Sequence, residues 1–156
     1  MKKIGFTIVE ALVIVLLISI VMGVAVAPYI AQKDLFQKQL ARTKLQDGLS
    51  LVMLYITKDA YTSKSVAVVD NANSDTVTLT KEPALGSADQ TIVYTRINNN
   101  LTRSVDGGAA VTIASNITQF NAQSLSKNYL IISMQGQNAG QTVVLDTEIA
   151  LRATPL

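Results

Sequence analysis

Residues Ala11–Gln32 read ALVIVLLISIVMGVAVAPYIAQ, 22 consecutive residues without a formal charge. At 1.5 Å per residue a helix of that length spans roughly 33 Å, enough to cross a hydrocarbon core of about 30 Å. Lys2 and Lys3 precede the run. The positive-inside rule therefore keeps the start of the chain cytoplasmic and sends the remainder across. No second run of this kind follows, so the sequence predicts a single-pass chain with its N-terminus inside.

A conventional secretory signal is the alternative for this stretch, with a small-x-small site at Ala25-Val26-Ala27. Two details oppose it. The apolar run exceeds the usual length of about 7–15 residues, and Pro28 directly after Ala27 is a poor position for signal-peptidase cleavage. Glu10 at the front of the run is a third oddity. A carboxylate in the apolar part of a membrane segment costs about 2.5–3.5 kcal/mol on insertion scales. It must either reach headgroup water or find a cation.

On the C-terminal side the helix is expected to continue. From Lys33 to about Thr62, Phe36, Leu40, Leu45, Leu49, Val52 and Ile56 recur at helical spacing, while Lys38, Arg42, Lys44, Asp47 and Lys58 occupy other faces. A continuous helix from Phe6 to near Thr62 would be about 85 Å long. Gly23 and Pro28 are the breakers inside it, either a tolerated kink or a stretch that bends.

From about Ser65 the pattern changes to strands. β-Branched runs at Ser65–Asp70, Thr76–Lys81, Thr91–Ile97, Leu101–Val105, Ala110–Ala114, Ile117–Leu125, Tyr129–Met134 and Thr142–Leu151 are separated by Asn-, Gly- and Pro-containing turns. Alternation at Val77/Leu79 and Val143/Leu145 places one sheet face on the Leu45–Ile56 stripe. The predicted fold class is α+β: a long N-terminal helix, membrane-spanning in its first half, packed on a C-terminal antiparallel β-sheet head.

The start of the chain reads Gly5-Phe6-Thr7-Ile8-Val9-Glu10 after Lys2-Lys3. This resembles the prepilin leader of the type IV filament superfamily, which comprises pilins, type II secretion pseudopilins and competence pseudopilins. In that family a short basic leader ends in Gly, Phe follows, and Glu lies five residues into the mature chain. The resemblance implies a structural subunit, major or minor, of a type IV pilus or a type II secretion-like pseudopilus. It divides the chain into a leader (1–5), a transmembrane and assembly half-helix (6–32), an amphipathic half-helix (33–62) and a β-rich head (63–156). The implied partners are a prepilin peptidase, a membrane assembly platform, other subunits of a helical filament, and membrane lipid before assembly. The peptidase would cut between Gly5 and Phe6 and methylate the new Phe6 amine. Thr7 and Glu10 would then serve assembly and register.

Physical chemistry gives Glu10 a reason. Cleavage would create an ammonium at Phe6, and a carboxylate paired with that of an adjacent subunit is far less costly than an orphan one. By the same resemblance, Gly23 and Pro28 mark a stretch that bends or melts as subunits leave the bilayer for the filament. The chain would start in the inner or cytoplasmic membrane, with its head periplasmic or extracellular. The alternative from a different class is a membrane-tethered binding module, an adhesin or a DNA-uptake pseudopilin.

The head also resembles minor pilins and pseudopilins of the J/W type, in the runs TIVYTRINNNLTRSVDGG, IASNITQF, YLIISMQGQ and TEIALRA. Tyr94, Leu101, Arg103 and Phe120 fall on that family's head positions, where they imply sheet structure rather than a ligand site. The family's frequent C-terminal disulfide is excluded here, because the chain has no Cys.

Composition narrows the chemistry further. Of 156 residues, 13 are basic and 11 acidic, for a net charge of +2, and His, Cys and Trp are absent. A Ser-His-Asp triad, a thiolate nucleophile and His- or Cys-ligated zinc are all excluded. Lys2 and Lys3 supply the whole charge surplus. A neutral body without a Lys/Arg run offers no footprint for specific nucleic-acid binding. Ser124-Leu125-Ser126-Lys127 matches Ser-x-x-Lys without its companion motifs. Asp70–Asp75 is oxygen-rich, but the calcium-ligand alternation fails at Ala72. Asn100-Leu101-Thr102 and Asn116-Ile117-Thr118 are sequons that read as strand and turn residues. No catalytic residue, cofactor or metal site is expected.

Overall fold

A computed structural model describes residues 7–71, 75–81, 88–126 and 129–151. Gly5 and Phe6 of the expected cleavage site, the turn at 83–87, and Lys127 and Arg152 lie outside the described residues. The chain divides into two compact units, residues 1–39 and 40–156.

One helix, α1, runs from Ile8 to Tyr61 over 54 residues. Leu, Ile, Val, Met and Ala dominate its first half, all compatible with helix once lipid or protein covers them. Within the first unit, every residue from 7 to 39 whose side chain is described is exposed. α1 passes through Gly23 and Pro28 without interruption. Pro removes one donor from the ladder, and in a helix of this length the bonds on either side hold the chain.

The second unit is built on the last turns of α1. Ala41, Leu45, Leu49, Val52, Met53, Ile56 and Ala60 form its buried face. Phe36 and Leu40, expected on this stripe, are 62% and 40% exposed. The buried face begins instead at Ala41, because coverage, not periodicity alone, decides where the stripe starts. α1 ends in hydroxyls: Thr62 Oγ1 and Ser63 Oγ donate to the Asp59 carbonyl at 3.0 and 2.7 Å. They satisfy one of the acceptors that the helix end leaves open, and the strand Ser63–Val69 follows at once.

Among the described residues eight strands follow: β1 (Ser63–Val69), β2 (Thr76–Lys81), β3 (Gln90–Ile97), β4 (Asn100–Val105), β5 (Val111–Ser115), β6 (Ile117–Ser126), β7 (Tyr129–Asn138) and β8 (Gln141–Ala150). The α+β architecture is as expected, a long helix packed on antiparallel strands. The strands form two sheets rather than one, in the orders β1-β2-β3-β4-β5 and β6-β7-β8. The switch falls at Asn116, whose φ of +64° turns the chain from the first sheet into the second. Asn98 and Asn99, with φ of 50° and 61°, make a two-residue hairpin turn between β3 and β4, shorter than the Asn98-Asn99-Asn100 run because Asn100 already pairs with Ile97. Ala139 and Gly140, at 46° and 74°, make a matching turn between β7 and β8.

Side chains from both sheets close on α1. Leu79, Ile92, Tyr94 and Leu101 of the first sheet and Phe120, Leu130, Ile132 and Met134 of the second are fully buried with Leu49, Val52 and Ile56. β7 approaches the helix closely at Gly136. A Cβ there would stand 3.0 Å from Leu45 Cδ2 and 3.3 Å from the Asn116 carbonyl oxygen. The strand therefore continues past Met134, with a glycine where the backbone must approach closely.

Candidate functional site

The first turn of α1 shows what Thr7 and Glu10 do locally. Thr7 Oγ1 and the Thr7 carbonyl both accept from the Glu10 amide, at 3.3 and 3.1 Å. Thr7 is the helix cap and Glu10 the third residue of the helix, the spacing of a capping box. A carboxylate at this end also suits the helix dipole. The motif that reads as an assembly signal is thus at the same time a helix-start signal. Glu10 is exposed, so its carboxylate is open to a partner.

Behind it the helix presents apolar side chains on every side. Ile8, Leu12, Leu16, Ile20, Val24 and Ile30 are each more than half exposed, and residues on the other faces are similarly bare. Contiguous apolar surface of this extent marks a protein or membrane contact. By length and composition α1 is a candidate single membrane span. Gly23 leaves open space beside its Cα: a methyl group there would meet nothing within 4 Å.

The head contains a buried polar network that the sequence did not advertise. Asp59, on the last turn of α1, is 5% exposed. Its Oδ2 accepts from the Tyr94 hydroxyl at 2.5 Å and from Arg103 Nε at 2.8 Å. Arg103 Nε also reaches the Tyr94 oxygen, at 3.3 Å. The register explains the meeting, because Tyr94 of β3 lies directly opposite Arg103 of β4. Burial, and next the hydrogen bond to Asp59, push the Tyr94 phenol well above its ordinary range. The bond to Asp59 raises Arg103, outweighing the partial burial that acts the other way. The sequence singles out Tyr94 and Arg103 but not Asp59. A signal for it exists: Asp59 lies three residues after Ile56, on the buried stripe, where a carboxylate demands a partner.

Leu101 and Phe120 are fully buried in the core. Around Phe120 a second carboxylate joins the two sheets. Asp75 is 4% exposed. Its Oδ2 accepts from the Ala122 amide at 2.6 Å and its Oδ1 from the Asn71 amide at 3.0 Å, while its own amide donates to the Phe120 carbonyl at 2.9 Å. Asp75, part of the oxygen-rich 70–75 turn, is thereby engaged with main-chain amides, and residues 72–74 lie outside the described residues. Among the described residues no group of three or more His, Cys, Asp or Glu could hold a metal ion.

The sequon threonines bond locally as well: Thr102 Oγ1 donates to the Thr95 carbonyl at 2.9 Å, and Thr118 Oγ1 to the Gln135 carbonyl at 3.2 Å. Shallow depressions occur among the described residues of the head. One, of about 220 Å³, is lined by Tyr55, Arg103, Val105, Val111 and Ile113. Another, of about 250 Å³, is lined by Asn121, Gln123, Ile131 and Ser133.

Comparison with protein-family models, with curated proteins and with solved structures returns no match.

Proposed function

We propose that the chain is a structural subunit of a type IV pilus or a type II secretion-like pseudopilus. It would be processed by a prepilin peptidase between Gly5 and Phe6 and assembled through α1. The observation that carries this is the union of two features on one helix. Residues 11–32 expose apolar side chains all round, and the GFTIVE sequence stands immediately before them with its acidic residue open. A helix of that kind needs lipid on all sides at first, and in a filament it needs neighbouring helices instead. Glu10 then favours helix packing in register, because a cation on an adjacent N-terminus offsets the cost of its charge.

N-terminal sequencing of the mature protein tests processing. N-methyl-Phe at position 6 supports the filament subunit, an intact Met1 points to a membrane-tethered binding module, and a start near positions 28–32 points to a conventionally secreted protein. Glu10→Ala tests assembly. The variant should be inserted and cleaved much as the wild type, yet be depleted from sheared filaments. Normal incorporation of Glu10→Ala would remove the assembly role.

A further inference from the structure

β8 ends the second sheet, and among the described residues no strand pairs with its far edge. A two-residue turn closes on a hydrogen-bonded pair, here Asn138 and Gln141. Alternation along the ladder then directs the amides and carbonyls of Val143, Leu145, Thr147 and Ile149 towards β7. Those of Thr142, Val144, Asp146 and Glu148 point away from it, and the side chains of these four are exposed.

Among the described residues this is the longest regular edge of the head. On the free side of β6, Asp75 accepts from the Ala122 amide and donates to the Phe120 carbonyl. β1 and β5 end the other sheet with seven and five residues, and each has a register shift in its pairing. β8 has ten residues in unbroken register. A long regular edge of this kind is a template for another strand.

The charges on β8 select what can pair there. Asp146 and Glu148 share one face, roughly 6.8 Å apart, beside Ser133 and Ile131 of β7. No Lys or Arg occurs among the described residues of β6, β7 and β8, and neither carboxylate has an ion-pair partner among them. Pairing over most of its length with β8 of a second copy brings four carboxylates to neighbouring positions, which opposes association. An incoming antiparallel strand sets two alternate residues about 5 Å from Asp146 and Glu148, where Lys or Arg is favoured. The residue between them turns to the other face, between the Leu145 and Ile149 positions, both of which belong to the core packing. An apolar side chain fits there.

We propose that β8 is a docking edge for an extended segment of a partner protein, added antiparallel, with basic residues at alternate positions and apolar residues between and beside them. Main-chain bonds hold such a segment, and the two carboxylates choose it over an acidic strand or a second β8. The proposal goes beyond the filament reading and does not depend on it.

Fluorescence anisotropy on the full-length chain in detergent tests it, with the fluorescein-labelled peptide Thr-Val-Lys-Val-Lys-Val-Thr as probe. The probe should bind about tenfold more tightly than its counterpart with Glu for both Lys. Asp146→Lys with Glu148→Lys should reverse that preference. N-methylation of the two Lys amides in the probe keeps its charge but removes donors to the edge, and should weaken binding by a similar factor. Equal binding of the Lys and Glu peptides would overturn the choice by charge. Undiminished binding of the N-methylated probe would mean a purely ionic contact and overturn strand addition. An unchanged preference in the charge-reversed chain would place the peptide elsewhere and overturn the site.

Discussion

Tyr94 donates its phenolic hydrogen to Asp59 across 2.5 Å, tying the middle of β3 to the last turn of α1. Arg103 completes the tie at 2.8 Å from the same carboxylate oxygen, so one buried oxygen holds two strands to the helix.

Removing the hydroxyl should be felt in stability and in its pH dependence. Tyr94→Phe deprives a buried carboxylate of a donor and should destabilise the head by about 1–3 kcal/mol in denaturant unfolding. Tyr94 is raised in the folded state, so this group's stabilising contribution is fully present below its unfolded value of about 10. It is lost as pH climbs from there towards the folded value, because unfolding then releases a proton. The wild type should therefore lose stability more steeply above pH of about 10 than Tyr94→Phe does. Parallel curves for the two proteins would contradict the buried position of the phenol.

Gly136 should tolerate no side chain. A Cβ would meet Leu45 Cδ2 at 3.0 Å and the Asn116 carbonyl oxygen at 3.3 Å. The latter is backbone and the former is held in the core. Gly136→Ala should destabilise by about 1–3 kcal/mol, read as a lower denaturation midpoint with an unchanged slope. A midpoint equal to the wild type's would mean that β7 can stand away from α1 at no cost.

The β7–β8 turn offers a gain instead. Ala139 is held at a φ of 46°, in the left-handed region that costs an ordinary residue about 1–2 kcal/mol. Asn adopts that conformation more readily, and Asn-Gly is the preferred pair for such turns. Ala139→Asn should raise the melting temperature, a direction that thermal unfolding checks directly.

Much of this architecture is legible in the sequence. The Leu45–Leu49–Val52–Ile56 spacing locates the buried face of α1, and eight β-branched runs locate eight strands. The Asn98-Asn99-Asn100 run announces a hairpin, though the turn proper is only its first two residues. What escapes has identifiable causes. Gly136 reads as the end of a strand, because a glycine that makes room for Leu45 and one that ends a strand are written identically. Asn116 reads as any polar residue between strands, and only its backbone angle shows that the chain changes sheet there. Asp59 follows Lys58 and so reads as one of two surface charges. Its burial depends on Tyr94 and Arg103, 35 and 44 residues further on. Of the N-terminal motif, Thr7 and Glu10 are legible as a pair, and their capping contact adds a local meaning to the spacing.

The strand order has a kinetic consequence. Among the described residues, each strand of both sheets pairs only with its immediate neighbours in the chain. In a polypeptide emerging from its N-terminus each pairing forms between one strand and the next to appear, and none of these pairings waits for a distant segment. Such local pairing favours rapid formation and leaves few strand edges open for long during synthesis. The late events are the long-range clasps, Asp75 onto β6 and Asp59 onto Tyr94 and Arg103. These seal ready-made ribbons against a helix that was made before any of them.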